Sequence, residues 1–505
     1  MSRNFTERIT SLPCIAHTVA QDGTNILAVN NQLLVDAHFM VQVQAALTGL
    51  DVVATLLTTL LDGLQWRPEH DVPTGDVNIY ELSPGPGSKF NPASRRHGIF
   101  SLTDQLRIRL DGIVPAASVS PNHILIPAPN VDECPFGAPS PAPGNWQLAA
   151  LQGPYQDVTV IDSGWQWDEA NWGPNPLHGH VHPRQAERLP TLLESNAGAN
   201  WQDGFEEEPG ELAPGTHKLV ALAGHSNFIA GVIASRCHQA RITVLSHNGS
   251  FIENQNRPSL STDPATDPNR YDFPTEAAVA RSLCWAMSKN ATELGFQTPK
   301  VINIGFAFLP WGDPNAALAD DVVSCIWERA FQFVGPGPIV VSPAGNQDSS
   351  LRRYPAALWK KDPVLFERMI GVGSIDEEGE LIDLPAEPYV RQFSADFTNH
   401  GDAATGDDWV ICSAIGSNVI STFLPLNTAL EDREDDEVLD FTTNSWAVWN
   451  GTSFAAPKVV AGIARRLALG DPDPWTAWQN LANTGVQPSP QPPGDPTLGI
   501  MFPRP

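Results

Sequence analysis

The sequence predicts an α/β protein: a doubly wound parallel sheet with helices on both faces, joined to a small N-terminal α/β domain. Three observations carry this expectation. Strand-like apolar runs alternate with helical patterns over most of the chain, and a proline- and glycine-rich stretch separates that region from a shorter one upstream. The length, 505 residues, also exceeds one ordinary core, since domains usually hold roughly 100–200 residues.

Taken in order, QLLVDAHFMVQVQAALTGL (32–50) reads as a strand running into a helix. LRIRLDGIVPAASVSPNHILI (106–126) reads as further alternating elements closed by a strand. Residues 1–125 therefore form the small domain. The segment 126–145, IPAPNVDECPFGAPSPAPGN, is rich in residues that disfavour regular hydrogen-bonded structure, and it reads as an exposed linker.

The main domain is assigned to 146–470. DVTVID, RITVLS, KVINIGFA, PIVVSPAG and MIGVGSID are apolar enough to be strands buried on both faces, and FIAGVIAS, AAVARSLCWAMS and DVVSCIWERAFQF intervene. Ligands of such sheets sit beyond the carboxyl ends of the strands, which is where Asp162 and Asn346 fall. From Asp471 to 505 a proline-rich tail is expected to wrap the surface or fray.

Composition narrows the function. Hydrophobic residues make up 42% and charged residues 17%, as in a packed protein. The formal net charge of −27 repels phosphate backbones and anionic lipid, so neither nucleic acid nor a membrane surface is an expected partner. The acidic clusters Glu206–Glu208 and Glu431–Asp436 read as solvated loops in preference to calcium sites. Six cysteines without a CxxC pair signal neither zinc nor a disulfide frame. The N-terminus shows no basic-then-apolar leader and no run approaches the roughly 18 apolar residues of a membrane helix, so a cytoplasmic location is expected.

The chemistry gathers in four short segments. NGTSFAAP (450–457) places Ser453 where a loop enters a helix, with Pro457 expected in the first turn. Helix N-terminal N–H groups favour negative charge developing beside such a serine, although a serine there also serves as a simple cap. A serine hydroxyl needs a base, and His225 in AGHSNFIAGVIAS stands just before a helix whose Gly231 implies close packing. The base needs an orienting carboxylate, and Asp162 ends the apolar run DVTVID. Asn346 follows a strand and Gly345, and its amide suits an oxyanion donor. A buried structural histidine, a turn aspartate and an Asx turn are the plainer readings of these three.

Together VIDSG, GHSNFIAG, VVSPAGN and NGTSFAAP resemble, in identity and order, the Asp, His, Asn and Ser motifs of subtilisin-like serine peptidases (peptidase family S8). The resemblance spans about 152–467. It implies a subtilisin-like sheet in which Asp162 orients His225, His225 is general base and then acid, and Ser453 forms an acyl-enzyme. The amide of Asn346 and the backbone N–H of Ser453 would bind the oxyanion. It further implies a polypeptide substrate extended along the strand holding Gly305, Phe306 and Ala307.

The chain departs from the family pattern after the histidine, where Ser226, Asn227 and Phe228 follow, and in VINIGFA, which lacks the usual Ser-Leu-Gly. AASVSPNHIL resembles the end of the family's propeptides, which would make the N-terminal domain an intramolecular inhibitor cut at the linker; a non-cleaved accessory domain is the alternative. His178, His180 and His182 read as a polar insertion loop, so no metal ligand and no cofactor is assigned, and calcium, common in the family, has no assignable residues.

Overall fold

The computed structural model describes residues 15–19, 25–65, 75–94, 96–125, 139–144, 146–165, 167, 174–177, 179–181, 218–219, 224–246, 274–293, 295–311, 322–376, 395, 397–402, 407–430, 438–442, 445–485, 496–497 and 499–502. The first of its units is built on strands β1 (Ile15–Val19), β2 (Asn25–Asp36), β3 (Val52–Thr59), β4 (Val77–Pro84) and β5 (Val119–His123). They pair antiparallel in the order β1-β2-β4-β3, with β5 also on β2. Strand alternation gives this sheet two covered faces. Leu33, Val35, Tyr80 and Leu82 pack with helices α1 (Met40–Thr48) and α2 (Ile99–Arg109). Leu34, Val77 and Ile79 point the other way, into the core of the rest of the molecule.

Of the expected linker 126–145, residues 126–138 and 145 lie outside the described residues. The remainder is not free chain. Ser140–Pro141 forms a short strand, β6, which pairs antiparallel with a strand near Trp446–Trp449. Proline tolerates such an edge position because the N–H it lacks is not needed there.

Among the described residues the main sheet has seven strands, all parallel: β7 (Gln156–Asp162), β8 (Ala240–Ser246), β9 (Val301–Ile304), β10 (Ile339–Pro343), β11 (Met369–Ile375), β12 (Cys412–Ile415) and, after β13 (Val419–Thr422) and β14 (Trp446–Trp449), β15 (Ile500–Phe502). Their spatial order is β15-β12-β11-β10-β9-β7-β8, so the winding reverses between β7 and β9. Helices α3 (His225–Arg236) and α6 (Thr452–Ala468) cover one face; α4 (Glu276–Met287) and α5 (Cys325–Val334) cover the other.

The tail departs from expectation. Asp473 caps helix α7 (Pro474–Ala482) by accepting from the N–H groups of Trp475 and Thr476 at 2.9 and 3.0 Å, and Pro474 sits at the helix start, where a missing N–H is harmless. Helix α7 packs on α6, and β15 then closes the edge of the sheet beside β12. The proline-rich stretch 486–495 lies outside the described residues.

The two units share buried polar groups. Glu276 of α4, fully buried, accepts from His123 Nδ1 and Trp327 Nε1, both at 2.8 Å, while His123 Nε2 accepts the N–H of Trp311 at 2.9 Å. Arg281 donates to Thr58 Oγ1, Thr59 O and Asp62 O at 3.2, 2.8 and 2.9 Å, and burial pulls its guanidinium down to about 10. Cys237, Cys284, Cys325 and Cys412 are buried free thiols, raised by burial above the ordinary thiol range; Cys14 and Cys134 lie outside the described residues. Among the described residues no helix is long and apolar enough to cross a membrane.

Candidate active site

The strand order reverses between β7 and β9, the kind of switch point at whose carboxyl ends ligands of such sheets bind, and Asp162 is the last residue of β7. Its carboxylate is fully buried. Oδ1 accepts the N–H of Ser163 at 2.7 Å, and the two oxygens lie 2.9 and 3.0 Å from His225 Nδ1. A carboxylate only accepts, so in the neutral imidazole Nδ1 carries the proton and Nε2 keeps a lone pair.

His225 opens α3 rather than preceding it. Gly224 before it has φ +70°, a left-handed angle that glycine adopts without strain, and a Cβ there would strike the ring of Phe423 at 2.7 Å. The imidazole is walled by Phe454, 5.3 Å between centroids, and by Trp449, edge-on at 5.6 Å. Ser226, unusual for the family motif, bonds to the carbonyl of Gly164 and to Ser163 Oγ, which ties the start of α3 to the turn after β7.

Ser453 is the second residue of α6, preceded by Gly451 at φ +155° and Thr452. Its hydroxyl donates to the carbonyl of Gly305 at 3.2 Å rather than to His225. Gly305 is also the neighbour of Asp162: a Cβ on it would lie 1.7 Å from Asp162 Oδ2. Aspartate, histidine and serine are thus gathered around one glycine and one aromatic wall. Pro457 differs from expectation, for it lies in the helix interior, sixth from its start. With no N–H it cannot bond the carbonyl of Ser453, four residues earlier.

Asn346 follows β10 and Gly345, whose φ is +94°. Its Oδ1 accepts the N–H of Thr452 at 2.8 Å and the Thr452 hydroxyl at 2.7 Å, and that hydroxyl accepts the N–H of Gly345 at 3.1 Å. A backbone N–H fixes which amide atom faces it, so Nδ2 turns the other way, to 3.7 Å from where a Cβ on Gly451 would lie. Thr452 is the positioning residue that motif reading misses; its place beside Ser453 in NGTSFAAP was the available signal.

Gly305, Phe306 and Ala307 were expected on a strand, but β9 ends at Ile304. Gly305 donates to Ile161 O at 3.0 Å and Phe306 O accepts from Ser342 Oγ at 3.2 Å, so this segment bonds mainly into its own sheet as it leaves it. His180 is buried and not in a solvated loop: its Nδ1 and Nε2 face the carbonyls of Ala240 and Ala149 at 3.1 and 2.8 Å. His178, His182, Glu206–Glu208 and Glu431–Asp436 lie outside the described residues. Among the described residues no cluster of His, Cys, Asp and Glu is arranged to hold a metal.

Residues 282–486 match the model of the subtilase family, peptidase S8. Asn346 and Ser453 fall inside that stretch, and Asp162 and His225 precede it. Among solved structures, fervidolysin from Fervidobacterium pennivorans, a keratinolytic enzyme related to subtilisin, is 16% identical, with 98% of this chain and 63% of that one covered and a TM-score of 0.47. The prenylagaramide maturation protease PagA is 17% identical over 69% of this chain and 90% of its own, with a TM-score of 0.37. A cold-adapted subtilisin-like serine proteinase is 15% identical over 72% and 94%, with a TM-score of 0.38. No curated protein matches the sequence.

Proposed function

We propose that the chain is a serine endopeptidase that cleaves polypeptides through an acyl-enzyme on Ser453. The subtilase match supports a serine peptidase. The observation that carries the residue roles is the buried Asp162–His225 pair, bonded at 2.9 and 3.0 Å beside the start of α6. In this reading a rotation about the Ser453 Cα–Cβ bond turns its hydroxyl from Gly305 towards His225 Nε2. Ser453 Oγ then attacks the scissile carbonyl carbon while its proton passes to Nε2, and Asp162 stabilises the imidazolium. The oxyanion takes hydrogen bonds from Asn346 Nδ2 and the Ser453 N–H. Collapse breaks the C–N bond, and the Nε2 proton goes to the departing amine. Water repeats the sequence on the ester and returns the proton to Ser453. Main-chain groups of the segment Gly305, Phe306 and Ala307, where the chain leaves β9, would receive an extended substrate.

A fluorophosphonate probe tests the nucleophile. The purified chain is expected to label and Ser453→Ala is expected not to; equal labelling of both removes Ser453 from the mechanism. The second reading, a peptide-binding module without turnover, draws on the Ser453 hydroxyl being engaged with Gly305. It predicts peptide binding with no serine-dependent labelling.

The N-terminal unit fits an intramolecular inhibitor. Its last described residues run to the chain before α4, where Ile124 pairs with Thr275 and the Leu125 N–H donates to Pro274 O at 2.6 Å. The expected outcome is that the parent accumulates a fragment beginning between Ile126 and Asn145 while Ser453→Ala stays full length. Intact-mass measurement of both decides it, and an uncut, fully active parent makes the unit accessory.

A further inference from the structure

Asn303 is fully buried in β9, and neither its Oδ1 nor its Nδ2 has a hydrogen-bond partner among the described residues. A buried amide left unanswered is destabilising, so its environment asks for an explanation. Register says where it lies. Asn303 pairs with Val160 of β7 and Val341 of β10, both of which face the α3 and α6 side of the sheet, whereas its neighbours Ile302 and Ile304 face α4 and α5. Asn303 therefore lies beneath α6, two residues before the Gly305 carbonyl that receives the Ser453 hydroxyl.

The helix that covers this face carries an irregularity of its own. Pro457 takes from the Ser453 carbonyl the helical donor it would otherwise have. A buried backbone acceptor of this kind is nearly always satisfied by some other partner. Ser453 is thus held from the strand end by its hydroxyl, in the first turn of the helix that lies over Asn303.

We propose that Asn303 is a positioning residue for the nucleophile: its amide binds one buried water that also donates to the Ser453 carbonyl, replacing the hydrogen bond Pro457 removes. A water here has the polar partners it needs, accepting from Nδ2 and donating to the carbonyl and to Oδ1. The bridge pins the turn that carries Ser453 against the centre of the sheet. It acts before any chemistry and touches no substrate. The inference rests on Ser453 being the nucleophile, and its test separates the two.

A double-mutant cycle on the full-length chain reads the coupling. Asn303→Leu is expected to slow fluorophosphonate labelling and lower kcat on a peptide substrate about 10- to 100-fold, with KM within about twofold, because the nucleophile and not the substrate is displaced. In Pro457→Ala, which restores an N–H opposite the Ser453 carbonyl, the same substitution is expected to cost less than about threefold. An equal loss in both backgrounds, or no loss in either, overturns the proposal. Should Asn303→Leu fail to fold, a high-resolution crystal structure of the unsubstituted chain decides. A water bonded to both the Asn303 amide and the Ser453 carbonyl supports the inference; none touching both ends it. Absence of Ser453-dependent labelling in the parent would defeat the peptidase reading alone, and the crystallographic arm would still decide on Asn303.

Discussion

Gly231 lies one turn and a half into α3, and its missing side chain is what lets that helix touch β13. A Cβ there would lie 2.3 Å from both Ser421 Oγ and Thr422 Oγ1 and 2.9 Å from the Thr422 nitrogen. Those hydroxyls donate to the carbonyls of Phe228 and Asn227 at 2.6 and 2.8 Å, fastening the helix that begins with His225. Gly231→Ala gains about 1 kcal/mol of helix propensity, but overpacking costs about 1–3 kcal/mol and each displaced hydrogen bond about 1 more. The expected result is a net destabilisation of about 2–4 kcal/mol by denaturant unfolding. Gly337→Ala, with nothing within 4 Å of the new methyl, is expected to stay within about 0.5 kcal/mol. Similar losses in the two variants would show that the contact at Gly231 is not what fixes α3.

At the scale of elements, what was legible followed from short-range physics. DVTVID, KVINIGFA, PIVVSPAG and MIGVGSID are strands because parallel strands need apolar residues on both faces, and the pattern records that directly. Asp162 and Asn346 could be placed at strand ends, and Gly231 at a close approach, from the sequence alone. Long-range pairing was not legible. Nothing local says that Ser140–Pro141 joins β14, or that residues 500–502 complete the main sheet beside β12. Proline misled in both directions. The proline-rich tail from Asp471 was expected to wrap or fray, yet Pro474 starts α7, and Pro457 was expected in the first turn but sits inside α6. Both outcomes depend on where the preceding residues begin the helix, which Asp473 and Gly451 decide through a cap and a backbone angle. Thr452 escaped notice because its role is a contact with Asn346, 106 residues away along the chain.

For the whole molecule, the N-terminal sheet and the helices α4 and α5 behave as one body, because Leu34, Leu60, Val77 and Ile79 share a core with Val279, Leu283, Ile326 and Ala330. Apolar contact alone would allow the two surfaces to slide; the buried polar groups do not. Glu276 is met by His123 from one unit and Trp327 from the other, and Arg281 reaches three acceptors on the N-terminal side. Glu276→Ala strands the His123 and Trp327 N–H groups in a buried interface, and each buried donor left unsatisfied costs about 1–3 kcal/mol. If the chain is cut in the 126–145 segment, the fragments of the parent are therefore expected to co-elute in gel filtration and unfold in one transition. In Glu276→Ala they should separate, or unfold in two steps. Glu276→Gln, which retains one acceptor oxygen, should fall between. Fragments that part as readily in the parent as in Glu276→Ala would mean that apolar burial alone sets their affinity, with the polar contacts contributing only alignment.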